Sequence, residues 1–319
     1  MRIDVHAHYF PDDYLALLRR VKHPEAENAA SVPGRPRTLD EQAGILKDVG
    51  IDLQVLSISL LQPYLPREED AVAAARLAND IYADATRGYE GRFAAFACLP
   101  LPHVDAALAE LERSLDSLGM VGVTIGCSVA GRTLDDPSFE PVYAELNRRG
   151  AVLFLHPVGT GVLSEVDPLG LAWMVGAPFE DTVAALQLLM AGVTSRYPRL
   201  QVIVPHLGGT LPFLLERIDG NVGNRRARGG PVPFEGAASA ALRQMWFDTV
   251  NGHVEALRCA CHSWGSDRLL FGTDYPYMTG ARLKRLVELP SQIGLSAGET
   301  GAILGGTAEK LIPLKRSRD

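Results

Sequence analysis

Five residues of this sequence carry metal-type side chains at the ends of apolar runs: His6, His8, His156, His206 and Asp274. His6 and His8 close the opening stretch Met1-Arg2-Ile3-Asp4-Val5-His6-Ala7-His8, where Ile3 and Val5 alternate with polar neighbours as in a short buried strand. Side chains two apart on a strand point to the same side, so the pair presents two imidazoles in one direction, an arrangement suited to a shared metal. A His-x-His pair alone fits a wet N-terminal strand as well, and the other ligands must come from elsewhere. Leu153-Phe154-Leu155-His156-Pro157 places a histidine at the end of one apolar run, and Val202-Ile203-Val204-Pro205-His206 does so for another. Leu269-Leu270-Phe271-Gly272-Thr273-Asp274 sets an aspartate just past a third. Nitrogen and oxygen donors of this kind, three or four around an open position, are what catalytic metals use. The other histidines (His23, His103, His253 and His262) end no apolar strand and read as structural or solvated.

These residues need a scaffold that brings distant strand ends together. The pattern predicts strands at Arg2 to Val5, Leu53 to Ser59, Phe93 to Cys98, Val121 to Gly126, Ala151 to Leu155, Gln201 to Pro205, Met245 to Thr249 and Arg268 to Gly272. Helical stretches separate them: Asp13 to Val21, 39 to 49 stopped by Gly50, 69 to 88, Val104 to Leu118, Glu140 to Arg149, Asp181 to Gly192, one from Phe213, and Val254 to Cys261. Such alternation predicts a parallel sheet with right-handed crossovers, and eight units in this length match a (β/α)8 TIM barrel of one domain, residues 1–319. Barrels of this kind place function at the C-terminal strand ends, where the five residues fall. Residues 22–38 read as an irregular polar excursion after the first strand. Arg35 and Arg37 lie there, either facing an anionic substrate or solvated on a loop. An open doubly wound sheet is the rival, but no G-x-G-x-x-G follows the first strand and no G-x-x-x-x-G-K-[ST] occurs.

Composition narrows the class. The 319 residues are 47% hydrophobic and 22% charged, as in an ordinary globular protein. A net charge of −7 argues against a nucleic-acid surface. No apolar run approaches the roughly 20 residues that span a bilayer, and the N-terminus enters a strand without a signal-peptide pattern. Cys98, Cys127, Cys259 and Cys261 are few and scattered, as in a reducing cytosol, and Cys259-x-Cys261 has no second cysteine pair.

The motifs Val5-His6-Ala7-His8, Leu155-His156-Pro157, His206-Leu207-Gly208-Gly209 and Gly272-Thr273-Asp274-Tyr275-Pro276, in this order, resemble the amidohydrolase superfamily. The closer likeness is to the branch that includes aminocarboxymuconate semialdehyde decarboxylase and γ-resorcylate decarboxylase. Gly50-Ile51-Asp52-Leu53-Gln54-Val55-Leu56-Ser57, Leu99-Pro100-Leu101-Pro102 and Leu118-Gly119-Met120-Val121-Gly122-Val123 extend it over nearly the whole chain. The resemblance implies one divalent ion, zinc in the first place and manganese in the second, with His6, His8, His156 and Asp274 as ligands and His206 beside water or substrate. Binuclear relatives use a carboxylated lysine at the end of the fourth strand; here Val123-Thr124-Ile125-Gly126 offers none, which favours one metal. Several aromatic-acid decarboxylases of the branch begin Glu-x-His, so the His-x-His start leans toward the aminocarboxymuconate type.

The activity implied is nonoxidative decarboxylation of a small aromatic or muconate-type carboxylic acid. Asp274 would be ligand and proton carrier in turn, and His206 would activate water or serve as general acid, because its titration range suits neutral pH. Trp173 and Tyr277 are candidates to wall the pocket, Trp173 by stacking on a planar substrate or else by core packing. Gly208 and Gly209 let the chain turn beside His206. A lactone or amide hydrolase, or a hydratase, would use nearly the same mononuclear site. A non-catalytic metal-binding barrel is the rival of another class, and no flavin or nicotinamide motif supports a redox enzyme. A cytoplasmic homodimer is the expected assembly.

Overall fold

The computed structural model describes residues 1–159 and 170–314. Among them eight parallel strands pair in chain order: β1 (Ile3–His8), β2 (Leu53–Ser57), β3 (Phe93–Cys98), β4 (Gly122–Gly126), β5 (Val152–His156), β6 (Gln201–Val204), β7 (Trp246–Asp248) and β8 (Leu269–Leu270). Backbone bonds close the ring: Val5 N donates to Phe271 O at 2.9 Å and His8 N to Tyr275 O at 2.7 Å. The result is the expected (β/α)8 barrel, with a helix or helices after each strand.

The period of two along each strand sorts side chains between two cores. Ile3, Val5, Leu53, Val55, Phe96, Val152, Phe154, Ile203 and Leu270 fill the barrel, and Ala308 and Ile312 join them from the last helical turns. The alternate residues, such as Val123, Ile125, Leu153, Leu155 and Val202, meet the surrounding helices. Helix Glu68–Gly88 buries Ala71, Ala74, Ala75 and Ala78 on one face, so its axis can lie close to the sheet. Where the inward row reaches the C-terminal mouth it turns polar: Ser57, Thr124, His156 and Asp248 are all buried there.

Local chemistry sets the boundaries. Thr38 caps helix Leu39–Val49 by accepting from Glu41 N, and Gly50 ends it with φ 75°. The excursion is less irregular than its composition suggests: Ala26–Ala30 forms a helical turn, and Arg35 fastens the loop to Phe10 O, just past β1. The helix after β5 is Ala177–Met190, four residues earlier at its start than the apolar pattern indicates, and the one after β6 extends over Leu211–Ala227. A two-residue hairpin, Ser128–Val129 with Arg132–Thr133, follows β4 and has no counterpart in the sequence reading. No helix among the described residues is long and apolar enough to cross a membrane.

Candidate metal and active centre

The mouth of the barrel gathers the strand-end residues. One ligand atom from each of His6, His8, His156 and Asp274 lies within 4.8 Å of all the others. β1 supplies both His6 and His8, and their rings meet edge to face with centroids 5.2 Å apart. β5 ends in His156, whose ring lies 5.1 Å from His6 and 4.9 Å from His8. Asp274 follows β8, where its N–H donates to His6 O at 2.8 Å. Its carboxylate oxygen stands 3.3 Å from His6 Nε2 and 3.1 Å from His8 Nε2. The backbone of Asp274 has φ 59°, and those of His206 and Leu207 have 53° and 63°, a conformation that side-chain-bearing residues adopt only when their surroundings impose it.

Each imidazole is oriented from behind. His6 Nδ1 bonds Asp248 Oδ2 at 2.6 Å, His8 Nδ1 bonds Ser57 Oγ at 2.9 Å, and His156 Nδ1 bonds its neighbour's carbonyl, Pro157 O, at 2.8 Å. All three therefore turn Nε2 toward the common point. The Nε2 atoms of His6 and His156 are buried with no hydrogen-bond partner among the described residues. An unpartnered buried imidazole nitrogen is costly, and two facing one carboxylate fit a bound cation. Three imidazoles held through their far nitrogens and one carboxylate form a donor set for a single divalent ion. Thr124, at the strand end where a bridging lysine would be needed, spends its hydroxyl on Ser59 at 3.0 Å.

Electrostatics follow from the same contacts. Burial works against a charged His6 ring, but the Asp248 carboxylate outweighs it by charge and hydrogen bond, raising the ring to about 10. Burial lowers His8 and lowers His156 well below the ordinary imidazole value, which favours neutral rings with one N–H and one lone-pair nitrogen each. Burial would push Asp274 up, but the adjacent His6 ring and the hydrogen-bonded His8 ring hold it well below the usual carboxylate range.

His206 sits beside the cluster, its ring 5.2 Å from that of His6 and 6.2 Å from that of His156. Its Nδ1 bonds Asp181 Oδ2 at 2.8 Å, and its N–H donates to Asp248 Oδ1 at 2.8 Å. Burial disfavours the charged ring, yet Asp181 more than compensates and raises His206 above its ordinary value. Asp248 and Asp181 are the contributors that the motifs missed. Asp248 carried a usable signal, since it too ends an apolar run, Trp246-Phe247-Asp248. Below the site a further buried carboxylate, Asp4, accepts from His6 N at 3.1 Å, Gln54 Nε2 at 2.7 Å and Thr273 Oγ1 at 2.6 Å, tying β1 to the segment that carries Asp274.

The remaining candidates are distributed around this centre. Tyr277 packs its ring against His8 at 5.7 Å, and its hydroxyl is buried without a partner among the described residues. Trp173 is 45% exposed, and its indole lies against the backbone just after β5, where a Cβ on Gly159 would stand 2.4 Å from the ring. Arg35 is turned inward: Nη1 donates to Phe10 O at 2.7 Å and Nη2 to Asp12 Oδ1 at 2.8 Å, leaving Nε buried and unpartnered. Arg37 is exposed and reaches Asp12 at 3.4 Å. The histidines set aside as structural are so placed. His23 bonds Gln62 O at 3.1 Å, His103 bonds Leu65 O at 2.9 Å, His253 caps a helix by accepting from Ala256 N, and His262 is exposed.

A sequence model of the amidohydrolase family matches residues 3–314. The chain belongs to this family. Within it, a 2-amino-3-carboxymuconate-6-semialdehyde decarboxylase of Dictyostelium discoideum is 31% identical over 270 residues, covering 83% of this chain and 73% of the relative. A γ-resorcylate decarboxylase of a Rhizobium species is 31% identical over 279 residues, covering 79% of this chain and 83% of the relative. Among solved structures, a 5-carboxyvanillate decarboxylase of Novosphingobium aromaticivorans with bound manganese and 3-methoxy-4-hydroxy-5-nitrobenzoic acid superposes with a TM-score of 0.85 at 23% identity, covering 98% of this chain and 96% of that one. That likeness, at this identity, speaks for the (β/α)8 fold.

Proposed function

We propose that the chain, acting as one domain over 1–319, is a metal-dependent nonoxidative decarboxylase of a small aromatic or muconate-type carboxylic acid. The observation that carries the proposal is the convergence of His6, His8, His156 and Asp274, with two buried imidazole nitrogens that have no hydrogen-bond partner among the described residues, beside His206. The decarboxylase names of its relatives favour this reaction over the second reading, a lactone or amide hydrolase or a hydratase working from the same site. His6, His8, His156 and Asp274 would hold one divalent ion; zinc suits three imidazoles and a carboxylate, and manganese is the second candidate because a structural neighbour holds it. Such an ion would supply Lewis-acid stabilisation of the negative charge on the substrate.

The residues of the chain do the rest. His206, held at Nδ1 by Asp181, delivers a proton from Nε2 to the carbon that bears the carboxylate. The C–C bond to the carboxylate then breaks, CO2 departs, and the electron pair of that bond restores the unsaturated system. The net change is replacement of CO2 by a proton. Asp274, next to His6 and His8, is the second proton carrier. Trp173 stacks on the planar substrate, and the Tyr277 hydroxyl, without a partner among the described residues, donates to a substrate oxygen, since burial and the nearby Asp274 carboxylate keep it protonated. Arg35 offers its Nε–H, which has no partner among the described residues, to a substrate carboxylate.

The proposal includes a homodimer, whose second copy covers the largely exposed Met174 and Phe213, in a reducing cytosol suited to the free thiols of Cys98, Cys127, Cys259 and Cys261. The test is incubation with γ-resorcylate and with substituted muconic acids, following CO2 release beside ring-opened or hydrated products. CO2 from any of these acids is the expected result; hydrolysis or hydration without CO2 overturns the decarboxylase reading.

A further inference from the structure

We infer that Asp181 is a positioning residue for His206, fixing which ring nitrogen exchanges protons with substrate; the inference rests on the proton-transfer role proposed for His206. Asp181 belongs to no strand end. It lies in the second turn of helix Ala177–Met190, flanked by two residues that also reach across to loops. Glu180 Oε2 accepts from Val158 N at 2.7 Å and Gly159 N at 3.3 Å, holding the loop after β5. Thr182 Oγ1 donates to Pro178 O at 2.8 Å and accepts from Thr210 N at 2.8 Å, holding the loop after β6. Between them Asp181 Oδ2 meets His206 Nδ1 at 2.8 Å. Three successive residues of one rigid helix thus clamp the loop that follows His156 and the loop that carries His206.

The carboxylate is itself pinned. Asp181 is wholly buried, and its other oxygen accepts from the Cys127 thiol at 3.6 Å, just past the end of β4. Asp248, on β7, holds the backbone N–H of His206 at 2.8 Å. Two carboxylates from different elements therefore fix the main chain and the ring of His206 separately. An ionised carboxylate only accepts hydrogen bonds, so Nδ1 must carry a hydrogen. Nε2, which has no protein partner among the described residues, is left to gain and lose the mobile proton. Rotation of the ring would set carbon against the carboxylate and forfeit a charge-assisted bond.

Asp181→Asn tests this without changing side-chain shape. Its amide can present NH2 to Nδ1, which makes Nδ1 an acceptor and moves the hydrogen to Nε2. The first measurement needs no variant: two-bond 1H–15N correlation spectra of the zinc-loaded full chain at alkaline pH, reading the His206 tautomer. The expected wild-type form has hydrogen on Nδ1, and Asp181→Asn reverses it. With γ-resorcylate as probe, kcat falls about 10²–10⁴-fold while KM and zinc stoichiometry hold, the range that general acid–base groups and their orienting carboxylates contribute. Asp181→Asn added to His206→Asn costs nothing further. A wild-type ring with hydrogen on Nε2, an unchanged tautomer and kcat in Asp181→Asn, or independent multiplication of the two losses overturns the inference. Wild-type protein that releases no CO2 from any acid overturns the reaction instead, and the tautomer measurement still decides whether Asp181 sets the ring.

Discussion

Replacing Asp248 by asparagine should weaken metal binding although Asp248 touches no metal position. Its Oδ2 takes the hydrogen bond from His6 Nδ1 at 2.6 Å, while Oδ1 accepts from His206 N at 2.8 Å and Val250 N at 3.0 Å. An asparagine has one acceptor oxygen for these two places. Two backbone N–H groups face one imidazole, so the amide oxygen should settle toward the backbone and its NH2 toward His6. His6 Nδ1 must then accept, which sends the ring hydrogen to Nε2, the atom needed for the ion. Loss of such an orienting partner costs about 10–100-fold in metal affinity, or roughly 1.4–2.7 kcal/mol. The forced tautomer places this variant at the upper end, near 100-fold. The assay is competition for zinc between metal-free protein and a chelating dye, with circular dichroism to verify folding. A folded variant whose zinc affinity stays within about twofold of wild type refutes the reasoning, since that is well below the range expected for an orienting partner.

Two further substitutions probe other parts of the account. Asp274→Asn should leave the fold intact yet lower kcat for CO2 release by at least about 10²-fold, because both a ligand and a proton carrier are altered; surviving turnover removes its proton role. Gly209→Ala should destabilise by about 2–5 kcal/mol in urea melts, summing a left-handed backbone and overpacking, because φ is 62° and the new Cβ would stand 2.0 Å from Pro178 O. A loss under about 1 kcal/mol would mean that the loop relaxes freely.

What the sequence disclosed follows from which forces are local. The barrel was legible because parallel strands buried on both faces read as uninterrupted apolar runs, as Val152 to Leu155 does. His156, His206 and Asp274 stood out because each interrupts such a run, and Gly50 because a helix ending in the left-handed region selects glycine. Asp181 was invisible: it sits on a helix face, and only tertiary packing brings it to His206. Arg35 looked like a solvated or substrate-facing cation because nothing in the polar stretch tells that Phe10 O and Asp12 take up two of its nitrogens. β8 shrank to Leu269–Leu270 because the chain leaves regular pairing to turn Asp274 toward the histidines, a demand of the site rather than of strand propensity.

One divalent ion, held by His6, His8, His156 and Asp274, should be needed for turnover. Elemental analysis combined with CO2 release before stripping, after exhaustive chelation and after readdition of zinc or manganese tests it directly. One ion per chain is expected, with activity lost with the ion and recovered on its return, and a His156→Ala protein that neither retains the ion nor releases CO2. Undiminished CO2 release from fully stripped protein contradicts it.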